Sequence, residues 1–258
     1  MDKKRIKNDY KSVRREIKSN YRERARFAKA QYRERLLEYE LESGKPLPKN
    51  PPKRPVLEEI GNAVTHGVGA LLAPIALILM LINSTTAREY VAAAVYSFGL
   101  LAMFLMSCLY HSFRHGSRVK RVFQRFDYCS IYILIGATFA PILLAYIGDA
   151  FGIAFFIVQW AIIAAGISLV GVFGPARLRK LQLPIYMVIG WSGLVFMPRI
   201  FSSDPGLAWW MLGGGAVYSL GTIPFALKRG PSHFIWHFFV LAGAIVQWIG
   251  VYHYIYLK

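Results

Sequence analysis

The sequence predicts an all-α membrane protein, a bundle of seven transmembrane helices with a cytoplasmic N-terminus and an outward C-terminus. Three observations predict it. Only 17% of the 258 residues are charged while 55% are hydrophobic, against about 25% charged in an ordinary soluble domain. The charge is also segregated: 18 of the 31 Lys and Arg residues fall in residues 1–57, and after Glu59 the acids are Glu89, Asp127, Asp149 and Asp204. Finally, the apolar part of the chain breaks into stretches of about 20 residues, the length a helix needs to cross the hydrocarbon core.

In chain order, residues 1–43 read as a basic cytoplasmic arm. Ile6, Tyr10, Val13, Ile17, Tyr21, Phe27 and Leu36 recur at roughly helical spacing among Arg and Glu. The pattern fits an amphipathic helix, either solvated and partly disordered or drawn to anionic headgroups of the inner membrane surface. Residues 44–55 form a Pro-rich linker, since proline both fixes φ and removes a backbone donor. Residues 56–258 form the transmembrane domain. Its apolar stretches run near 63–83, 91–112, 126–147, 150–172, 183–201, 207–227 and 233–257. No apolar core segment lies in the first 55 residues, so the first span is expected to serve as the insertion signal. The formal net charge of +17 is explained by cytoplasmic loops and lipid headgroups, and no nucleic-acid partner is expected.

The gaps between the stretches set the orientation. Those at 113–125, 174–182 and 228–232 carry ten Lys and Arg residues, whereas the alternate gaps and the C-terminus carry Arg88, Arg199 and Lys258. Cytoplasmic loops carry the excess of basic residues, which places the chain in the cell membrane as a multi-pass protein with its arm inside. Cys108 and Cys129 both lie in apolar stretches and indicate no disulfide framework. Gly213–Gly215 with Gly221 is expected to allow close helix packing.

Ionisable groups inside a span are costly and call for a reason. On the predicted topology they gather at the cytoplasmic level. Ser107 and His111 end the second stretch, four residues apart on one face. Asp127 opens the third. His233 and His237 open the seventh at the same i, i+4 spacing, and Glu58, Asn62, Thr65 and His66 share a face at the start of the first. Two histidines one helical turn apart can ligate a single Zn²⁺, and a third from another helix completes a three-histidine site with an open position for water. Asp127 is then placed to hold or deprotonate that water, with Ser107 beside it. Each of these residues taken alone is equally an interfacial or hydrogen-bonded side chain.

The runs Glu58-Glu-Ile-Gly-Asn62-Ala-Val-Thr65-His66-Gly67, Ser107-Cys-Leu-Tyr-His111, Phe126-Asp127-Tyr128, Gly136-Ala-Thr138-Phe-Ala-Pro141 and His233-Phe-Ile-Trp-His237 occur in the motif order of the hemolysin III family, which residues 56–258 resemble. That family lies within the progestin and adipoQ receptor group, which includes the adiponectin receptors. The resemblance implies a seven-helix bundle and a zinc ion on His111, His233 and His237, with Asp127 contacting the zinc-bound water and Ser107 close by. It also implies kinship with a proposed superfamily of membrane hydrolases that contains the alkaline ceramidases. The chain departs from the family pattern at Phe234, where a Glu is common, and at Gln247, where many relatives carry a His. The expected function is a zinc-dependent hydrolase of an amide or ester in a lipid-like substrate. The alternative is a non-enzymatic sensor, channel or cytolysin with a structural zinc.

Overall fold

The computed structural model describes residues 3–43, 51–227 and 231–257. Every regular element among them is helical. The chain divides into two compact units, Met1–Leu47 and Pro48–Lys258. The first contains α1 (Lys3–Ser43), whose Tyr10, Val13, Ile17 and Tyr21 are exposed at helical spacing. Residues 44–50 of the linker and 228–230, which include the basic pair used for orientation, lie outside the described residues.

The second unit contains α2 (Val56–Ile82), α3 (Ala87–Ser112), α4 (Arg118–Thr138), α5 (Ala150–Phe173), α6 (Pro175–Trp191), α7 (Met197–Ser203), α8 (Pro205–Leu227) and α9 (Ser232–Val251). Local chemistry sets several starts. Thr86 and Glu89 form a reciprocal capping box at α3, Ser117 accepts from the Lys120 amide at α4, and Asp149 accepts from the Gly152 amide at α5. Each satisfies amides that a helix N-terminus leaves without intrahelical partners. Two helices run on in π-helical turns, Pro141–Ile147 after α4 and Tyr252–Tyr256 after α9.

Five helices are long and apolar enough to cross a membrane: α2, α3, α4 with its extension to Ile147, α5, and α9 with its extension to Tyr256. A sixth crossing arises if α6 and α7 act as one span bent by 43°. The bend falls inside the continuous 183–201 stretch expected from the sequence. Pro198 lacks an N–H and its ring clashes with the carbonyl four residues back, so a 3₁₀ turn, Ser192–Val195, ends the first part before α7 begins. The first span also starts earlier than expected, at Val56 rather than near residue 63.

Two helix pairs, α2 with α3 and α8 with α9, pack most extensively, and α3 with α4 follows. Glycines permit the close approaches. A Cβ on Gly214 would sit 2.1 Å from the Gln247 side chain, and one on Gly61 would sit 2.8 Å from the Phe234 ring. Leu71, Ile75, Ile78 and Ile82 on α2, with Ile157, Val158 and Val172 on α5, face outward. In a soluble protein such a belt would be an aggregation liability; here it is the surface that meets lipid tails. Polar residues instead turn inward, Asn62, His66, Ser107, His111, Lys120, Asp127 and His237 all being buried.

Candidate metal centre

Two helices supply the three histidines of the centre. α3 contributes His111 near its end, and α9 contributes His233 and His237 one turn apart. Each of the three offers a potential ligand atom, and these atoms lie within 4.8 Å of one another. The Nε2 atoms of His233 and His237 are 3.1 Å apart. Two nitrogens bound to one tetrahedral Zn²⁺ at about 2.0–2.1 Å would be separated by about 3.3 Å, close to that spacing. Nε2 of His111 is buried and has no hydrogen-bond partner among the described residues, and the Nε2 atoms of His233 and His237 are set against each other. Buried imidazole nitrogens are ordinarily satisfied, so this donor set fits a bound metal ion.

α2 packs against the same group. His66 stacks on His237, ring centroids 3.9 Å apart at 28°, and its Nε2 lies 3.3 Å from the His237 carbonyl, to which it donates. Asn62 is fully buried and its amide stands 3.4 Å from His111 Nδ1. The two other α2 residues singled out from the sequence are placed elsewhere. Thr65 donates to the Gly61 carbonyl of its own helix at 2.7 Å, and Glu58 lies 3.8 Å from the Arg54 side chain.

The residue that sequence reasoning passed over is Glu59. Its Oε2 is 2.6 Å from His111 Nδ1 and its Oε1 is 3.0 Å from Lys120 Nζ. A helix advances about 100° per residue, so Glu59, Asn62 and His66 occupy one narrow sector while Glu58 and Thr65 flank it. The 3 and 4 spacing of 59, 62 and 66 was the available signal. On the other flank, Ser107 of α3 and the Asp127 carboxyl of α4 are both buried and lie near each other. The structure thus brings His111, His233 and His237 together and sets Asn62 and His66 against them. Ser107 stands beside Asp127.

A cleft of about 140 Å³ lies between α3, α4, α6, α8 and α9. Met103, Leu134, Tyr186, Trp191 and Trp236 are among its walls, and Gln247 also lines it. The same helical faces carry the polar residues. On α3 the line His111, Ser107, Met103 steps back by four each time. On α4, Asp127, Ile131, Leu134 and Thr138 follow 4, 3 and 4 spacing. On α9, His233 and His237 lead to Val240 and Gln247. Each stripe starts among polar groups and continues as cleft wall.

These features define a multi-pass, all-helical membrane protein whose core holds a histidine group that could bind a metal ion. The haemolysin-III related family model matches residues 55–248, and the chain belongs to that family. Hemolysin-3 of Bacillus cereus is 34% identical over 205 residues, covering 78% of this chain and 93% of that protein. Monocyte to macrophage differentiation factor of Homo sapiens is 30% identical over 213 residues, covering 77% and 85%. The adiponectin receptor protein of Drosophila melanogaster is 27% identical over 228 residues, covering 75% of this chain and half of that protein.

Proposed function

We propose that the protein is a zinc-dependent intramembrane hydrolase acting on an amide or ester of a lipid-like substrate. The observation that carries this reading is the continuity of the three stripes: the faces that present the histidines and Asp127 run on into an apolar cleft. An apolar chain seated in that cleft would hold its polar end at the histidines, and sites that bury apolar ligands beside a few fixed polar groups are the common form of small-molecule pocket. His111, His233 and His237 would hold the ion. When bound, zinc supplies Lewis acidity, polarising a carbonyl and lowering the pKa of water toward neutrality. Asp127 accepts a proton from water and returns it to the leaving group, and Ser107 orients that carboxyl. The histidine group has three donors among the described residues, one short of the closed four-ligand set typical of structural zinc.

The reading includes a membrane frame. α8 serves as the remaining span: its 23 residues carry no charge and reach about 35 Å at 1.5 Å per residue, although Trp209, Trp210, Tyr218 and its glycines lower its apolarity. Seven crossings put the N-terminus in the cytoplasm and the C-terminus outside. The basic arm then faces anionic headgroups.

The test uses purified full chain in lipid nanodiscs. About one zinc per chain is expected by elemental analysis, falling to background in His233→Ala/His237→Ala. Hydrolysis of N-acyl and O-acyl lipids is expected to be lost in that variant and in Asp127→Asn, which should keep its metal. Substoichiometric metal in the wild type, or hydrolysis that survives both variants, sinks the reading. Liposome ion flux that persists without the histidines would favour the channel alternative.

A further inference from the structure

We infer that Glu59 and Lys120 form a positioning pair that fixes the tautomer and ring angle of His111. The inference rests on the reading of the three histidines as metal ligands and extends it to residues outside that set. An ionised carboxylate only accepts hydrogen bonds. With Glu59 Oε2 2.6 Å from His111 Nδ1, the ring proton therefore sits on Nδ1. The lone pair is left on Nε2, the buried atom that has no partner among the described residues. A metal-ligating histidine ordinarily donates its other ring N–H in this way, which orients the ring and raises its basicity.

The second oxygen of Glu59 is occupied as well, 3.0 Å from Lys120 Nζ, so the carboxylate is gripped at both ends. Lys120 is itself held in place. Ser117 caps the start of α4 by accepting from the Lys120 amide at 3.0 Å. The ammonium lies 4.8 Å from the Tyr110 ring centroid, and that ring meets His111 edge-on with centroids 4.5 Å apart. The first turns of α2 and α4 thus bracket the last turn of α3 through one chain of contacts.

General folding physics gives no reason for this arrangement. Lys120 is 1% exposed and stands in the first turn of a helix, where the backbone dipole disfavours a cation. A buried ion pair is weak as a stabiliser, since well-packed apolar residues of the same volume often do as well or better. A role at His111 accounts for retaining it. His233 and His237 have no comparable support: their Nδ1 atoms have no hydrogen-bond partner among the described residues. The orientation of His111 within the three-donor set therefore depends on Glu59.

The experiment separates positioning from folding. Zinc affinity of the full chain is measured by competition with a chromogenic chelator, the visible spectrum of the Co²⁺-substituted protein reports ligand geometry, and thermal denaturation reports stability. Glu59→Gln should weaken zinc binding about 10- to 100-fold and also lower the melting temperature, because Lys120 is left buried without its counter-charge. Glu59→Gln/Lys120→Met removes that stranded charge. It should regain the melting temperature yet keep the weakened affinity and a shifted cobalt spectrum. Glu58→Gln, one residue away, should match the wild type. The inference is overturned if the double variant binds zinc as tightly as the wild type with an unchanged spectrum. A wild type that binds no metal would instead overturn the reading beneath it.

Discussion

At the scale of the residue, α2 contains a natural contrast in the adjacent pair Thr65 and His66. The Thr65 hydroxyl donates into its own helix at 2.7 Å, whereas His66 Nε2 donates across to the His237 carbonyl at 3.3 Å while its ring stacks on that histidine. A net hydrogen bond is worth about 0.5–1.5 kcal/mol. His66→Phe, which keeps a stacking ring but loses the donor, should therefore weaken metal binding by about 2- to 10-fold through a less firmly held His237. Thr65→Val should leave affinity within error, and a chelator titration of the two variants decides between them. A larger loss in Thr65→Val than in His66→Phe would mean that the α2 face is assigned wrongly. That assignment also shows what was legible in the sequence. His111, His233 and His237 stood out because two of them share an i, i+4 spacing and a charge-based topology put all three at one depth. Glu59 did not, since it neighbours Glu58 and a single helix read alone gives no absolute orientation. Only the packing of α3 and α9 against α2, with Lys120 reaching Glu59 from α4, selects the face made by Glu59, Asn62 and His66.

At the scale of the element, the interruptions are as informative as the helices. Pro198 breaks the stretch that hydropathy alone joins, and the short helix it opens, Met197–Ser203, carries Arg199. That residue meets Asp149 at 2.6 Å, and Asp149 in turn caps α5 through the Gly152 amide at 3.0 Å. Arg88 donates to the Gly148 carbonyl, and Gly148 adopts a positive φ of 62° that favours glycine. One carboxylate thus organises a junction between spans. The Gly152 amide and, after it, the Arg199 guanidinium hold the Asp149 carboxyl below its ordinary pKa, which is about 3.9 in an unfolded chain. Because the folded value is the depressed one, the stabilisation is present above the unfolded pKa and is lost as pH falls through the folded one. Melting temperature should therefore decline on acidification below about pH 4, and Asp149→Asn should flatten that decline while lowering stability at neutral pH. Arg199→Met should flatten it less, the amide being the larger cause. An acid slope unchanged in Asp149→Asn would remove this carboxylate from the account. Such junctions are hard to read in advance. In the sequence Asp149 is only one of four acids in the apolar part of the chain, and its partner lies 50 residues away.

At the scale of the molecule, the number of crossings decides the geometry of everything else. Five helices meet the demands of a span outright and a bent pair supplies a sixth; α8 is long enough but diluted by Trp, Tyr and Gly. These residues are the ones that helix contacts inside a membrane use, small side chains to let backbones approach and aromatics at the lipid interface, and Gly214 indeed faces Gln247 of α9 at a distance that excludes a side chain. A helix can therefore lose apolarity because it packs, rather than because it stays outside the bilayer. The count has an unambiguous consequence, since an odd number of crossings separates the termini and an even number does not. With Cys108 and Cys129 replaced by Ala, single cysteines placed at Ser19 in the arm, Arg114 between α3 and α4, Asp204 between α7 and α8, and Leu257 should sort into two classes toward a membrane-impermeant thiol reagent in sealed inside-out vesicles. The first two should label, because Lys and Arg crowd the arm and the turn before α4, and the last two should stay protected until detergent is added. If Leu257 labels together with Ser19, α8 does not cross. The C-terminal end of α9 would then share a side with the arm, and the charge alternation that placed the histidines at one depth would lose its meaning.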